Sequence, residues 1–311
     1  MNNINHSCDH RLAHRPFHRP RLLIVGCGDV GMRLLPLVRE RFRVFAVTSQ
    51  PERRAELRAA GAVPVVADLD HPDSLRRLAR LADRVVHLAP PRGEGKLDNR
   101  TRHLCAILPE RLRMVYVSTT GVYGDCGGAL VDEARPLAPR NARAVRRVDA
   151  EGVVRAWGRR SRSSAAILRV PGIYARERLP LQRIEQGTPA LRPEDDVYTN
   201  HIHADDLARA IAAALFRGRP GRVYNAVDGT QMKMADYFDA VADAFGMARP
   251  PRLARAQLEQ AVSPTLLSFM SESRRLRNAR LTQELRLRLR YPDVGTALRT
   301  LANPPGKTEQ E

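Results

Sequence analysis

Gly26-Cys27-Gly28-Asp29-Val30-Gly31 has the residue types and spacing to hold a phosphorylated ligand. It follows an apolar run, Leu22–Val25, and opens a helical pattern, Met32–Val38. In that setting the first glycine permits the tight turn. The second lets the main chain approach a pyrophosphate. The third lets the helix pack close to the strand, so that its N-terminal amides face the phosphates. The turn therefore predicts a dinucleotide held by Gly26, Gly28, Asp29, Val30 and Gly31. About 20 residues on, where an acid would take a ribose 2′-hydroxyl, the chain reads Thr48-Ser49-Gln50-Pro51-Glu52-Arg53-Arg54, with no acid at the strand end. The hydroxyls of Thr48 and Ser49 and the guanidinium of Arg53 suit a 2′-phosphate, so NADP is expected ahead of NAD. Asp68, after the third strand, is placed to meet the adenine amino group, or else to open a turn.

These residues need a frame. Apolar, β-branched runs recur at Leu22–Val25, Val44–Val47, Val63–Ala67, Val85–Ala89, Met114–Val117, Ala166–Val170 and Val223–Ala226. Short continuous runs suit strands buried on both faces. Between them lie helical patterns at Met32–Val38, Ser74–Ala82, Val145–Trp157 (ending at Gly158) and Leu207–Phe216. Such alternation predicts an α/β fold with a doubly wound parallel sheet. Ala235–Phe245 is a further amphipathic helix, and Leu276–Leu289 is arginine-rich with leucines at helical spacing.

Composition sets the outer bounds. At 311 residues, with 43% apolar and 28% charged, the chain can bury a core, and no stretch is apolar for the roughly 20 residues of a membrane helix. Residues 1–19 have no apolar core of a secretory signal and read as a disordered extension, like the tail 304–311. His6, His10, His14 and His18 are spaced by four, but Pro16 argues against the helix that would align them, so no metal is expected. Cys8, Cys27, Cys105 and Cys126 form no C-x-x-C pair, which fits a reducing cytoplasm. The net charge is +18, and only Lys96, Lys233 and Lys307 among the 52 basic residues are lysine. The arginines are spread along the whole chain rather than gathered on one segment, so a solvated surface is expected, not a nucleic-acid partner.

Beyond the glycine turn, the segments VVADLD, HLAPP (87–91), VYVSTTGVYGD (115–125), ILRVPGIYARER (167–178), NHIHADDLARAI (200–211) and VYNAVDG (223–229) resemble an extended short-chain dehydrogenase/reductase of the NAD-dependent epimerase/dehydratase type. The likeness spans about residues 21–303. It implies a Rossmann domain over 20–174, completed by 198–228, and a substrate region from 175–197 and 229–303. It also places Leu88, Ala89 and Pro90 against the cofactor. Active members carry Ser/Thr and then Tyr-x-x-x-Lys, in which the lysine lowers the pKa of a phenol that ordinarily titrates at about 10. Thr119 retains the first position. Arg143 and Arg147 stand at the other two, with Glu151 expected to anchor them. Arginine stays protonated and cannot donate a proton near neutrality. Arg147 could still hold the nicotinamide ribose, and Arg143 could polarise a carbonyl or clamp an anion.

The chain thus resembles an atypical branch of the family. Tyr123, Tyr174 and His201 are the substitute proton donors to consider, although each could equally be a packed or loop-tying residue. Asp205 and Asp206 are expected to cap a helix. The acids of a dehydratase are missing, since Thr120 and Gly121 follow Thr119. The resemblance implies an NAD(P)-dependent oxidoreductase acting on a small carbonyl or alcohol. A non-catalytic NAD(P)-binding sensor is the alternative, and a nucleotide-sugar epimerase a weaker one. Only Pro90–Leu112 separates the fourth and fifth strands, too little for the long helix through which many members pair, so a monomer or weak homodimer is expected.

Overall fold

The computed structural model describes residues 19–302. The spaced histidines and all but the edge of the two expected disordered ends lie outside these residues. Strands β1 (Arg21–Val25), β2 (Arg43–Thr48), β3 (Val63–Val66), β4 (Arg84–His87), β5 (Arg113–Thr119), β6 (Ser164–Val170) and β7 (Val223–Asn225) form one parallel sheet in the order 7-6-5-4-1-2-3. This is the Rossmann-type, doubly wound α/β arrangement. Its order reverses between β1 and β4, where a crevice opens beyond the strands' carboxyl ends. Five crossovers carry helices: α1 (Asp29–Val38), α2 (Arg54–Ala59), α3 (Asn99–Ile107), α4 (Ala142–Arg160) and α5 (Ala204–Arg217). Two more, α6 (Met234–Ala244) and α7 (Val294–Ala302), lie in the C-terminal third.

The two-residue period of β1 divides its side chains between two cores. Leu22 and Ile24 join Leu34, Leu35, Leu207 and Ile211 from α1 and α5. Leu23 and Val25 join Leu104, Val154 and Trp157 from α3 and α4. Each such fully buried aliphatic side chain contributes about 1.5–3 kcal/mol. A third core gathers Tyr174, Leu191, Phe238, Leu258 and Leu298 around α6 and α7.

Three local expectations need correction. Leu75 and Leu78 sit on a 3₁₀ turn, Pro72–Leu78, not an α-helix, and Leu81 lies in the bend after it; a spacing of three matches three residues per turn. α4 runs through Gly158 to Arg160; Gly158 is buried in its last turn, and its carbonyl accepts from the Ser163 amide at 2.9 Å just beyond the helix end. Leu276–Leu289 is not one helix. It is a short strand at Arg275–Leu276, a five-residue helix at Ala279–Gln283 and an irregular run in which Leu285 and Leu287, two apart, reach the α1/α5 core. Among the described residues Cys27, Cys105 and Cys126 are free thiols, and no helix is long and apolar enough to cross a membrane.

Candidate active site

The glycine turn is built by close contacts. Gly26 has φ +82°, and a Cβ there would lie 2.6 Å from the Ala89 nitrogen. The chain leaving β4 is held against the turn, since Leu88 and Ala89 both donate N–H to the Val25 carbonyl at 2.9 and 3.2 Å. Gly28 is the opposite case: a Cβ on it would meet nothing within 4 Å. It caps α1 without any side-chain hydrogen bond, and no acceptor among the described residues meets the amides of Asp29, Val30 and Gly31. Bare donors at a ten-residue helix's positive end, under open space, fit a diphosphate. The Asp29 carboxylate is taken by Arg33 at 2.9 Å and Arg178 at 3.0 Å, so toward a ligand this residue offers its amide.

Around the end of β2, Thr48 is buried and its Oγ1 accepts from the Gln50 amide at 3.1 Å, while Ser49 is exposed. Arg53 reaches back to the turn and donates to the Cys27 carbonyl at 2.7 Å. Asp68 accepts from the Asp70 amide at 2.9 Å, as a turn aspartate does.

The turn adjoins a cleft of about 870 Å³. Val30, Leu88 and Pro90 wall one end, with Thr119, Arg143 and Arg147 beyond them. Thr119 ends β5, and its Oγ1 accepts from the Gly121 amide at 3.3 Å, which leaves its own O–H to donate elsewhere. Arg147 is anchored by the Val117 carbonyl at 2.9 Å and the Tyr116 hydroxyl at 3.0 Å. Glu151 does not anchor it. That carboxylate is buried with Arg169 at 2.8 Å and Ser118 at 2.8 Å, so the expected helix-internal pairing is replaced by a tie between α4, β5 and β6. Arg143 is exposed and lies over the Phe269 ring at 4.4 Å. Opposite, the buried Glu272 accepts from Arg274 at 2.6 Å and from Asn141 at 3.2 Å.

The three substitute donors fare differently from one another. Tyr123 is outside the cleft: it is 1% exposed, donates to the Asn225 Oδ1 at 2.7 Å, and is pushed up to about 12 by burial. Its hydroxyl ties the end of β5 to β7. Tyr174 and His201 do line the cleft. Burial pushes the Tyr174 phenol far up, with Asp228 nearby adding to the effect, and pushes the His201 imidazole down to about 3, so near neutrality both are uncharged. His201 stacks on Tyr237 at 4.3 Å. The aspartates expected to cap α5 do not. His203 caps it, its Nδ1 accepting from the Asp205 amide at 3.2 Å, while buried Asp206 accepts the Arg290 and Tyr291 amides at 2.9 and 2.7 Å. No group of three or more His, Cys, Asp or Glu among the described residues is arranged to hold a metal.

Glu272, Arg274, Tyr237 and Asp228 escaped the sequence reading. Only Asp228 had a signal, lying within the VYNAVDG segment. The others belong to stretches whose polar pattern does not distinguish a cleft wall from a solvated face.

Residues 22–226 match the profile of the NAD dependent epimerase/dehydratase family. A 131-residue stretch is 28% identical to dTDP-D-glucose 4,6-dehydratase of Mus musculus, covering 40% of this chain and 36% of that protein. The chain thus spans little more than a third of that relative's length. Among solved structures, a functionally unknown conserved protein from Silicibacter pomeroyi DSS is 30% identical, with TM-score 0.76 over 91% of this chain and 98% of that one. The fold is also that of a DesIV double mutant, a dTDP-glucose 4,6-dehydratase from Streptomyces venezuelae with NAD and DAU bound. There the identity is 22% and the TM-score 0.72, over 90% of this chain and 95% of that one.

Proposed function

The chain belongs to the NAD dependent epimerase/dehydratase family, and from that premise we propose that it is an NAD(P)-dependent oxidoreductase for a small carbonyl or alcohol substrate. One observation carries the reading: the cleft holding Thr119 and Arg147 reaches Val30 in the first turn of α1, where the amides of Asp29, Val30 and Gly31 meet no acceptor among the described residues. Segments 175–197 and 229–303 are the proposed substrate side, a reading supported by Arg178, Arg183, Tyr237 and Phe238 in the cleft lining.

When bound, the nicotinamide supplies the hydride. The chain's own residues position and polarise. The turn amides hold the diphosphate. Arg147, fixed at the Val117 carbonyl, turns its remaining N–H groups to ribose hydroxyls. Thr119 donates its free O–H to the substrate oxygen. Arg143 sets a permanent positive charge where that oxygen becomes negative. The proton that completes the alcohol comes from water in the cleft. The Thr48–Arg54 segment favours NADP over NAD. Dehydration of a nucleotide sugar, the activity named for the mouse relative, is disfavoured because Thr120 and Gly121 occupy the places of its acids.

The sensor reading keeps one observation in its favour: burial holds the Tyr123 and Tyr174 phenols above their ordinary value and the His201 imidazole below its own, so none of the three is poised to exchange a proton near neutrality. Titration with NADPH and NADH, followed by nicotinamide fluorescence and a panel of aldehydes and ketones, separates the two. The oxidoreductase consumes NADPH, and Thr119→Ala lowers kcat/KM about a hundredfold. Saturable binding without consumption means a sensor. Turnover unchanged in Thr119→Ala removes Thr119 from the chemistry.

A further inference from the structure

The arginine facing the expected 2′-phosphate already has a carboxylate on it. Arg53 Nη1 donates to the Cys27 carbonyl inside the glycine turn at 2.7 Å. Its other edge, Nε and Nη2, makes a two-pronged pair with Glu56 at 2.8 and 2.9 Å. The first bond fixes where the guanidinium lies, beside the turn and at the end of β2. The second occupies the fork that matches a carboxylate or a phosphate. A phosphate monoester arriving there needs that same fork.

We propose that Glu56 is an internal competitor for the cofactor's 2′-phosphate, occupying Arg53 in the free protein and displaced when NADPH binds. The inference rests on the dinucleotide reading above. Three features support it. Glu56 is exposed, its side chain 48% accessible against 23% for Arg53, so it can swing into water while the guanidinium stays on the Cys27 carbonyl. Glu56 lies on α2, one turn after Arg53, so leaving requires only a side-chain rotation. NADH brings no phosphate to that edge and leaves the pair intact. Glu56 therefore weakens NADPH binding alone and moderates the preference that Arg53 creates. Neighbouring Arg54 is exposed and has no ion pair among the described residues, so it is the control for a general charge effect.

The experiment measures dissociation constants of NADPH and NADH by nicotinamide fluorescence, with 2′-AMP and 5′-AMP as probes lacking the nicotinamide. Glu56→Gln removes the competing charge and keeps the shape. It is expected to tighten NADPH and 2′-AMP about three- to fivefold, the scale of an exposed ion pair, and to leave NADH and 5′-AMP unchanged. Arg53→Ala should weaken NADPH and 2′-AMP only, and in the double variant Glu56→Gln should have no further effect. Equal shifts for NADPH and NADH, or an effect of Glu56→Gln that persists without Arg53, overturn the proposal. If Arg53→Ala weakens NADPH while Glu56→Gln changes nothing, the competitor role fails and the dinucleotide reading stands. If the unaltered protein binds neither nucleotide, both fail.

Discussion

Tyr123 shows how a residue can look chemical in sequence and be structural in space. Four residues after Thr119 on the same segment, it has the type of a proton donor, but its hydroxyl is spent on Asn225, and the Arg169 guanidinium covers its ring at 4.7 Å. Asn225 in turn donates its backbone N–H to Glu133 at 2.9 Å, so the phenol closes a buried polar chain. Tyr123→Phe leaves the Asn225 oxygen without a donor and should cost about 1–3 kcal/mol in urea unfolding, with turnover per folded molecule unchanged. A tenfold loss of kcat at full folding would instead place Tyr123 in the chemistry. What was legible here was local: Thr119 at a strand end and arginines one helical turn apart both read directly. The Glu272 wall was not legible, because its bond to Asn141 spans 131 positions, and one-dimensional patterning carries no signal for such a contact.

At the scale of the element, the strand–turn–helix that opens the fold was the most readable part, because each glycine answers a constraint set within a few residues or by the next strand. Two substitutions separate those constraints. Gly26→Ala forces a side chain into a left-handed conformation, against the Ala89 backbone. It should lower stability by about 1–3 kcal/mol or more, read as a lower urea midpoint. Gly28 has φ −82°, open to any residue, and a Cβ there points into empty space. Gly28→Ala should therefore unfold at the wild-type midpoint yet bind NADPH about tenfold or more weakly, since the new methyl stands where the diphosphate must approach. If affinity survives in the folded Gly28→Ala variant, the dinucleotide is not held at the head of α1. Other elements were less readable. Leu75, Leu78, Leu281, Leu285 and Leu287 are buried as their apolar character requires, but on a 3₁₀ turn, a five-residue helix and an irregular run rather than on long helices. Burial alone fixes which residues face inward, not the backbone that turns them there.

The whole molecule joins its two main layers to the C-terminal third through a buried polar seam. His201 stacks on Tyr237 and His203 on Tyr291, and Tyr174 meets both imidazoles edge-on. Asp228 lies alongside, its amide donating to the His201 carbonyl at 2.8 Å. Stability depends on pH in two opposed ways, through the seam and through His87 on β4, whose ring bonds Thr101 at 2.9 Å. His201 and His87, both pushed down to about 3 by burial, stay neutral in the folded chain. Unfolded, they take protons at about 6.5, so their contribution is present above that value and is lost as the pH falls toward 3. Asp228 runs the other way. Burial pushes it up to about 7, so between its unfolded value near 3.8 and 7 the native state holds a proton that the unfolded chain has released. Its contribution is present in acid and is lost as the pH rises through that window. Between pH 4.5 and 6 the two histidines make stability fall on acidification, and Asp228 cancels about one proton of that fall. Asp228→Asn keeps the oxygen that accepts the Thr230 amide at 2.9 Å and removes the titration. Urea unfolding across this range should then show stability falling more steeply with acid than in the wild type, by about 1.4 kcal/mol per pH unit. Parallel curves for the two proteins would mean that Asp228 is ionised in the folded state and that the seam is wetter than its packing indicates.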